Sequence, residues 1–454
     1  MSLSYYGGKS EIEAWQSLVH VCRRWRSLVF QSPRRLNLQL FCTPKTPAKD
    51  AQLIWPALPV IVKGDMTLSS TNNVIAALVH RNRVCKVDLW CLANWQLEEV
   101  FAAMQLPFPE LTDLRLHSNG KTPPVIPDSF LNGSAPRLRH LDLNKIPFPG
   151  LSKLLLSATR LVDLWLYDIP LSGYISPEAM VALLCSLSSL EKLYVEFASR
   201  RSRPDWESRS LPPPKRSIHP ALNDFQFKGA IEYLEDLVTC IDAPQLRKVA
   251  ITFFNQIHFD CPRFLQFIDR TPKLKEHDRA YVEFEDWGSR VSLEAHSGPR
   301  TLAIEILSRE PNSQLSSIAQ ACSSSLPPLS TVKDLYIEHY YTRLVWENDA
   351  IESTLWLQLL LPFTAVKNLY LSREFAQGIA AALHELVGVR IAEVLPGLEN
   401  IFLEGLVPSG PSQEIIAQFF TARQLFGYSV AVFDWDRLGL YEDEEEGEEE
   451  GSVL

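Results

Sequence analysis

One phrase recurs along this 454-residue chain: an apolar residue, two variable ones, an apolar residue, one variable one, an apolar residue. It reads VCKVDL from Val84, LTDLRL from Leu111, LRHLDL from Leu138, LVDLWL from Leu161 and LEKLYV from Leu190. It returns as LRKVAI from Leu246, VKDLYI from Val332, VKNLYL from Val366 and LENIFL from Leu398, with a weaker copy, LNDFQF, from Leu222. Successive first positions lie 27, 27, 23, 29, 32, 24, 86, 34 and 32 residues apart. The longest gap contains TPKLKEHDRAYVEF and RTLAIEIL, which read as two degraded copies. The last residues of each phrase alternate. Each phrase therefore predicts a short strand whose fourth and sixth residues enter a core while the third, fifth and seventh face the other way. Helical stretches such as PEAMVALL, from Pro177, lie between the phrases. One strand and one helix cannot bury their own apolar faces, so the units must stack.

A period of 20 to 35 residues carrying LxxLxL resembles the leucine-rich repeats. The longer spacings are similar to the ribonuclease-inhibitor-like class, which implies an α/β horseshoe with a strand and a helix per repeat. An asparagine at the ninth position, expected in that family, occurs only at Asn119, so the predicted solenoid is irregular. A doubly wound dinucleotide-binding fold is the competing α/β architecture, but it has no reason to repeat the phrase.

The N-terminal stretch WQSLVHVCRRWRSLVF, from Trp15, places Leu18, Val19, Cys22, Trp25 and Leu28 on one helical face. Ser32-Pro33 stops that helix, and Leu36, Leu38 and Leu40 then alternate as in a strand. Helix, stop, strand and the following Trp55-Pro56 resemble the second half of the F-box-like proteins of mushroom-forming fungi. The resemblance implies that these five residues contribute to docking on a Skp1-like adaptor. The acidic, leucine-rich helix that opens an F-box is not found in MSLSYYGGKSEIEAW, so weak adaptor docking, or none, is expected of this chain. The expected organisation is a partial F-box-like segment at 1–34 and a repeat array at 35–435. Insertions are expected near 199–219 and 275–300, and an acidic tail at 436–454.

Composition narrows the function classes. The formal net charge is −10, but residues 442–450 carry eight acidic groups. Taking those eight from 54 acidic residues leaves 46 against 44 basic ones, so the body is nearly neutral and offers no basic excess for nucleic acid. No apolar run reaches the length of a membrane span, and the first residues lack the apolar core of a signal peptide. Eight dispersed cysteines without a CxxC pair are expected to be reduced thiols, in cytoplasm or nucleus. Residues 199–219, rich in Arg, Ser and Pro, read as a surface loop.

Catalytic motifs fail on their own chemistry. Gly8-Lys9-Ser10 would need a glycine at position 3, which is Leu3, and His384-Glu385 lacks the second histidine of a zinc-binding helix. No nucleophile stands with a base, so no enzyme, cofactor or metal is expected. What the alignment of phrases singles out is the outward fifth position: Asp88, Arg115 and Asp142 first, then Trp165 and Tyr194, later Tyr336, Tyr370 and Phe402. Tyr167 joins them from a seventh position. Aromatic residues exposed on a concave sheet are candidates for holding a partner protein, flanked here by Asp163, Lys192 and Asp334. The alternative is a ladder of rings that merely braces neighbouring strands. The implied role is substrate recognition in a Skp1–cullin–F-box type ubiquitin ligase by a monomer. The alternative role is a leucine-rich-repeat binding scaffold without adaptor docking.

Overall fold

A computed structural model describes residues 22–24, 40–43, 59–67, 71–148, 153–199, 216–254, 261–296, 298–339, 353–386, 393–405 and, with gaps, 421–435. The chain divides into two compact units, 1–202 and 203–454.

In the N-terminal unit seven strands form a wholly parallel sheet in chain order: β1 (Leu40–Cys42), β2 (Val60–Asp65), β3 (Val84–Leu92), β4 (Asp113–Ser118), β5 (His140–Asn144), β6 (Asp163–Ile169) and β7 (Lys192–Phe197). Parallel neighbours require a crossover between them, and four helices lie in these connections: α1 (Asn72–Leu78), α2 (Asn94–Ala103), α3 (Lys153–Ser157) and α4 (Pro177–Ser186). Helix α4 starts where its sequence says it should, with Ser176 Oγ accepting from Ala179 N at 3.2 Å and Pro177 in the first turn. The phrase sets the register. Leu114, Leu141, Leu164 and Leu193 are level with one another, as are Leu116, Leu143, Leu166 and Val195, and all are buried.

The eighth residue of four phrases, Cys91, Lys145, Asp168 and Gly405, has a φ between 47° and 64°. Only the last is glycine, so three side chains accept the left-handed region to turn the chain out of its strand. The pairing registers of β3 and β6 shift at this point.

The C-terminal unit is built on the same phrase but not in the same order. Its strands are β8 (Ser217–Ile218), β9 (Asp224–Gly229), β10 (Ile241–Asp242), β11 (Lys248–Phe254), β12 (Arg279–Glu285), β13 (Gly288–Ala295), β14 (Gly298–Leu307), β15 (Asp334–His339), β16 (Asn368–Leu371), β17 (Asn400–Glu404) and β18 (Ala431–Trp435). The main sheet runs β9-β11-β14-β13-β12-β15-β16-β17-β18, while β8 and β10 pair separately. The two degraded copies are strands, β12 and β14, and both are parallel to the rest. Between them β13 runs antiparallel to both, so the insertion expected near 275–300 is a strand within the sheet. The chain leaves β11, passes beyond two places to lay down β12, and returns through β13 to fill the place beside β11 with β14.

Helices α5 (Ile231–Cys240), α6 (Pro262–Asp269), α7 (Pro311–Ser324), α8 (Ser353–Leu360) and α9 (Arg373–His384) cover one face. Helix α5 packs on α6, and α7 packs on α8, which packs on α9. The buried carboxylate of Glu235 on α5 accepts from the backbone N–H groups of Arg263 (3.0 Å) and Phe264 (2.8 Å), satisfying the first turn of α6 from its neighbour. Phe284 of β12 meets Trp356 of α8 and Phe375 of α9 in a buried aromatic cluster.

Of the expected adaptor-docking residues, Leu18, Val19, Trp25 and Leu28 lie outside the described residues. Cys22 is described and is exposed. Most of the 199–219 segment and the whole acidic tail also lie outside, but Ser217–Ile218 pair with β10 and His219 is buried.

Candidate functional site

The third, fifth and seventh residues of the phrases lie on the sheet face opposite the described helices. In β4 the alternation is complete: Leu114, Leu116 and Ser118 are buried while Asp113, Arg115 and His117 are half-buried. The expected outward direction of the fifth position therefore holds, and each strand sets its fifth residue beside the fifth residues of its neighbours.

In the C-terminal unit the result is a continuous stack of five rings. Tyr281, Tyr336, Tyr370, Phe402 and Phe433 are register partners across β12, β15, β16, β17 and β18. Their centroids are 4.6, 4.2, 4.4 and 5.1 Å apart, with interplanar angles of 12°, 9°, 9° and 22°. These spacings are close to the roughly 4.8 Å between strands, so the backbone sets the stacking distance. Trp435 crosses the stack at an angle, 5.5 Å from the Tyr370 ring and 6.1 Å from Tyr336. Burial raises the hydroxyl pKa of Tyr281 to about 12 and raises that of Tyr336 and Tyr370 also.

A polar ladder borders the rings on the third position. Asn400 Nδ2 donates to Asn368 Oδ1 at 2.8 Å, Asn368 Nδ2 donates to Asp334 Oδ1 at 2.6 Å, and Arg279 stands 4.0 Å from Asp334. Asp334, expected as a flanking residue, is thus part of this ladder. On the other border, at the seventh position, Glu338, Glu283, Arg290 and Glu305 are successive register partners. Burial pushes the Glu283 carboxyl up to about 7. Arg290, at 3.7 Å, opposes that rise, while Glu338, Glu285 and Glu294 add to it.

The N-terminal unit arranges the same positions differently. Its fifth positions run Lys63, Asp88, Arg115, Asp142, Trp165, Tyr194, alternating in sign until the two rings. Trp165 and Tyr194 stack at 5.1 Å and 9°, and Tyr167 meets both edge-on at 6.1 Å. Arg115 reaches over the Trp165 ring at 5.7 Å. The flanking Asp163 accepts or shares a proton with His140 Nδ1 at 2.8 Å, and His117 Nε2 lies 3.0 Å from the buried Asp142. Both histidines lie on the outward face beside a carboxylate of the next strand.

All six of the aromatic residues expected on this face, Trp165, Tyr167, Tyr194, Tyr336, Tyr370 and Phe402, are on it and half-buried. They form two separate groups, one in each unit. Sequence reasoning missed Tyr281, Phe433 and Trp435. In RAYVEF an alanine replaces the fourth-position leucine, and AVFDW has no leucine at all. The signal that could have found them is the bare alternation of apolar and aromatic residues. Among the described residues no group of three or more His, Cys, Asp and Glu side chains is placed to hold a metal ion, and no helix is long and apolar enough to cross a membrane.

No protein-family model matches the chain, and no curated protein sequence matches it. A solved structure to which it is similar is the leucine-rich repeat-containing protein LegL7 from Legionella pneumophila, at 12% identity and a TM-score of 0.29, covering 84% of this chain and 97% of that one. At that score the likeness does not place the chain in a family.

Proposed function

We propose that this chain is a protein-binding repeat module that holds a partner protein on the sheet face opposite the described helices and performs no chemistry of its own. One observation carries the reading: aromatic rings recur at a single outward position of the phrase and are half-buried on the face opposite the described helices. Half-exposed rings held rigid by stacking lose little entropy on binding and bury a large area, which is how interface energy is usually concentrated. Stacking and binding are compatible, because neighbouring rings occupy each other's faces and leave their edges to a partner.

The finer reading rests on the resemblance of Trp15–Leu40 to an F-box. On that reading the chain is a substrate-recognition subunit of a Skp1–cullin–F-box type ubiquitin ligase, acting in cytoplasm or nucleus. It works by position, raising the effective concentration of a bound protein near the ligase machinery. The alternative is a binding scaffold that uses the same face without the adaptor.

The test is capture by proximity labelling with two double variants, Trp165→Ala/Tyr194→Ala and Tyr336→Ala/Tyr370→Ala. Loss of labelled partners in either variant, under conditions where it remains folded by circular dichroism, supports the reading. An unchanged set of partners in both folded variants refutes it. Pull-down of a Skp1-like adaptor by residues 1–454 separates the two finer readings.

A further inference from the structure

Helices α6, α7 and α8 of the C-terminal unit end around one cavity of about 400 Å³. Two of the three close their own last turns. At the end of α6, Arg270 N donates to Gln266 O at 3.1 Å, Thr271 N to Ile268 O at 2.8 Å, and Thr271 Oγ1 to Phe267 O at 2.9 Å. At the end of α8, Leu361 N donates to Leu357 O at 3.0 Å and Phe363 N to Leu360 O at 3.1 Å. Helix α7 differs. Ser325 N reaches Ala321 O at 2.9 Å, but the carbonyls of Cys322 and Ser323 accept from no donor among the described residues. The cause lies in the sequence that follows. Pro327 has no N–H to offer Ser323, and Leu326, as the residue before a proline, is pushed out of the α region and withholds its N–H from Cys322.

The cavity walls are apolar: Leu265 and Ile268 from α6, Leu326 and Leu329 from the chain after α7, and Pro362 from the chain after α8. Ser323, Ser330 and Thr364 also line it and are exposed, so it opens to solvent. Its volume falls within the range of small-molecule sites, roughly 300–1,000 Å³. Cys322 is part of the lining, and burial pushes its thiol up to about 12, so that wall stays uncharged. The carbonyls of a last turn point along the helix axis beyond its end, and the 14-residue α7 directs its negative pole the same way. The unpaired acceptors therefore stand where a molecule in the cavity can reach them. Asp269 is on the rim with Lys275 at 3.9 Å, a pair without net charge, so the preference rests on the carbonyls.

We infer that this cavity binds a small apolar molecule bearing a protonated primary amine. The hydrocarbon part lies between Leu265, Ile268, Leu326 and Leu329, and the ammonium donates to the carbonyls of Cys322 and Ser323. An ammonium has three donors and no acceptor, and its charge is favoured at a helix C-terminus. An alcohol of the same shape supplies one donor and no charge. A carboxylate supplies no donor and is repelled. The site lies at the ends of helices, away from the aromatic rings, and is independent of the protein-binding reading above.

The test uses the full chain with isotopically labelled leucine and isoleucine methyl groups, titrated at neutral pH with phenethylamine, phenethyl alcohol and hydrocinnamate and followed by NMR. The amine is expected to shift the methyl signals of Leu265, Ile268, Leu326 and Leu329 saturably, and to bind at least about fivefold more tightly than the alcohol. Hydrocinnamate is expected to bind more weakly than either. Pro327→Ala restores an N–H that can cap Ser323, and should bring amine and alcohol within about twofold of each other. Equal binding of amine and alcohol by the wild type, or preference for the carboxylate, overturns the inference. Absence of shifts at these methyl groups with every probe does so too. An amine preference that persists undiminished in a folded Pro327→Ala protein removes the carbonyls from the site and likewise overturns it. The wild-type series decides the matter even if the variant does not fold.

Discussion

The two units use one phrase to write two different surfaces. In the N-terminal unit the outward fifth positions alternate Lys63, Asp88, Arg115 and Asp142, whereas in the C-terminal unit Tyr281, Tyr336, Tyr370, Phe402 and Phe433 stack. Both are solutions to the same constraint. Parallel strands in register force like positions to within about 5 Å, so each neighbour must complement the next. Charges do this by alternating sign, and rings by lying flat on one another. The inner positions show no such choice, because buried apolar side chains, most often leucine, isoleucine or valine, fill them. What differs is the consequence. A charged row is screened by salt and contributes little per pair, while a ring stack is indifferent to salt and leaves apolar edges open.

Substitutions that exchange inner and outward positions give the largest expected effect. Leu141, 1% exposed, and Asp142, 5% exposed, are adjacent in β5 but point to opposite faces. Leu141→Asp places a charge in the core and should cost more than about 4 kcal/mol, with loss of soluble protein. The outward direction of Asp142 predicts that Asp142→Leu is tolerated. Its burial beside His117 revises that to about 1–2 kcal/mol by denaturant unfolding. Equal losses for both would mean that the faces are not distinct.

Within the ring stack, position should matter. Tyr370 lies between two rings at 4.2 and 4.4 Å, whereas Phe433 has one stacked neighbour and is 45% exposed. Tyr370→Ala should therefore cost about 2–3 kcal/mol and Phe433→Ala about 1 kcal/mol. The same cost at both sites would show that stacking adds nothing beyond local burial.

Acid–base behaviour sharpens the contrast further. The folded pKa of Glu283, about 7, lies above the ordinary glutamate value. Between these values the folded state holds a proton that the unfolded state has released, so stability decreases as pH rises and is greatest on the acidic side. Glu283→Gln should flatten the fall in unfolding free energy between pH 5 and 7.5 by on the order of 1–2 kcal/mol, since the group keeps some solvent contact. An identical pH profile in the variant would contradict the burial of this carboxyl. The smallest effect belongs to the third positions of the N-terminal unit, where Lys86 stands 3.9 Å from Asp113 with both partly exposed. Lys86→Ala should change stability by no more than about 0.5 kcal/mol, and less at high salt.

Much of this contrast was legible in the sequence, and the rest was hidden for physical reasons. The spacing of leucines fixes which residues enter the core, because a one-residue slip would turn Leu114 and Leu116 outward. The fifth-position residues follow directly from that register. Strand order does not, because β13 carries an ordinary alternation, Val291 and Leu293 inward, that says nothing about direction or neighbours. Tyr281 was hidden because Ala280 fills the inner site beside it, where a leucine was being sought. The capping of α6 by Glu235 depends on a neighbour distant in sequence, which no local pattern encodes.

The account stands on the claim that the partner docks on the sheet face opposite the described helices. Photo-crosslinking tests it most directly without removing any ring. Benzoylphenylalanine replaces Phe433, 45% exposed at the end of the stack, and in a second protein replaces Leu361, 54% exposed just after α8. The account predicts a crosslinked partner from position 433 and none from position 361. Crosslinks from 361 alone would place the partner on the helical side and contradict it.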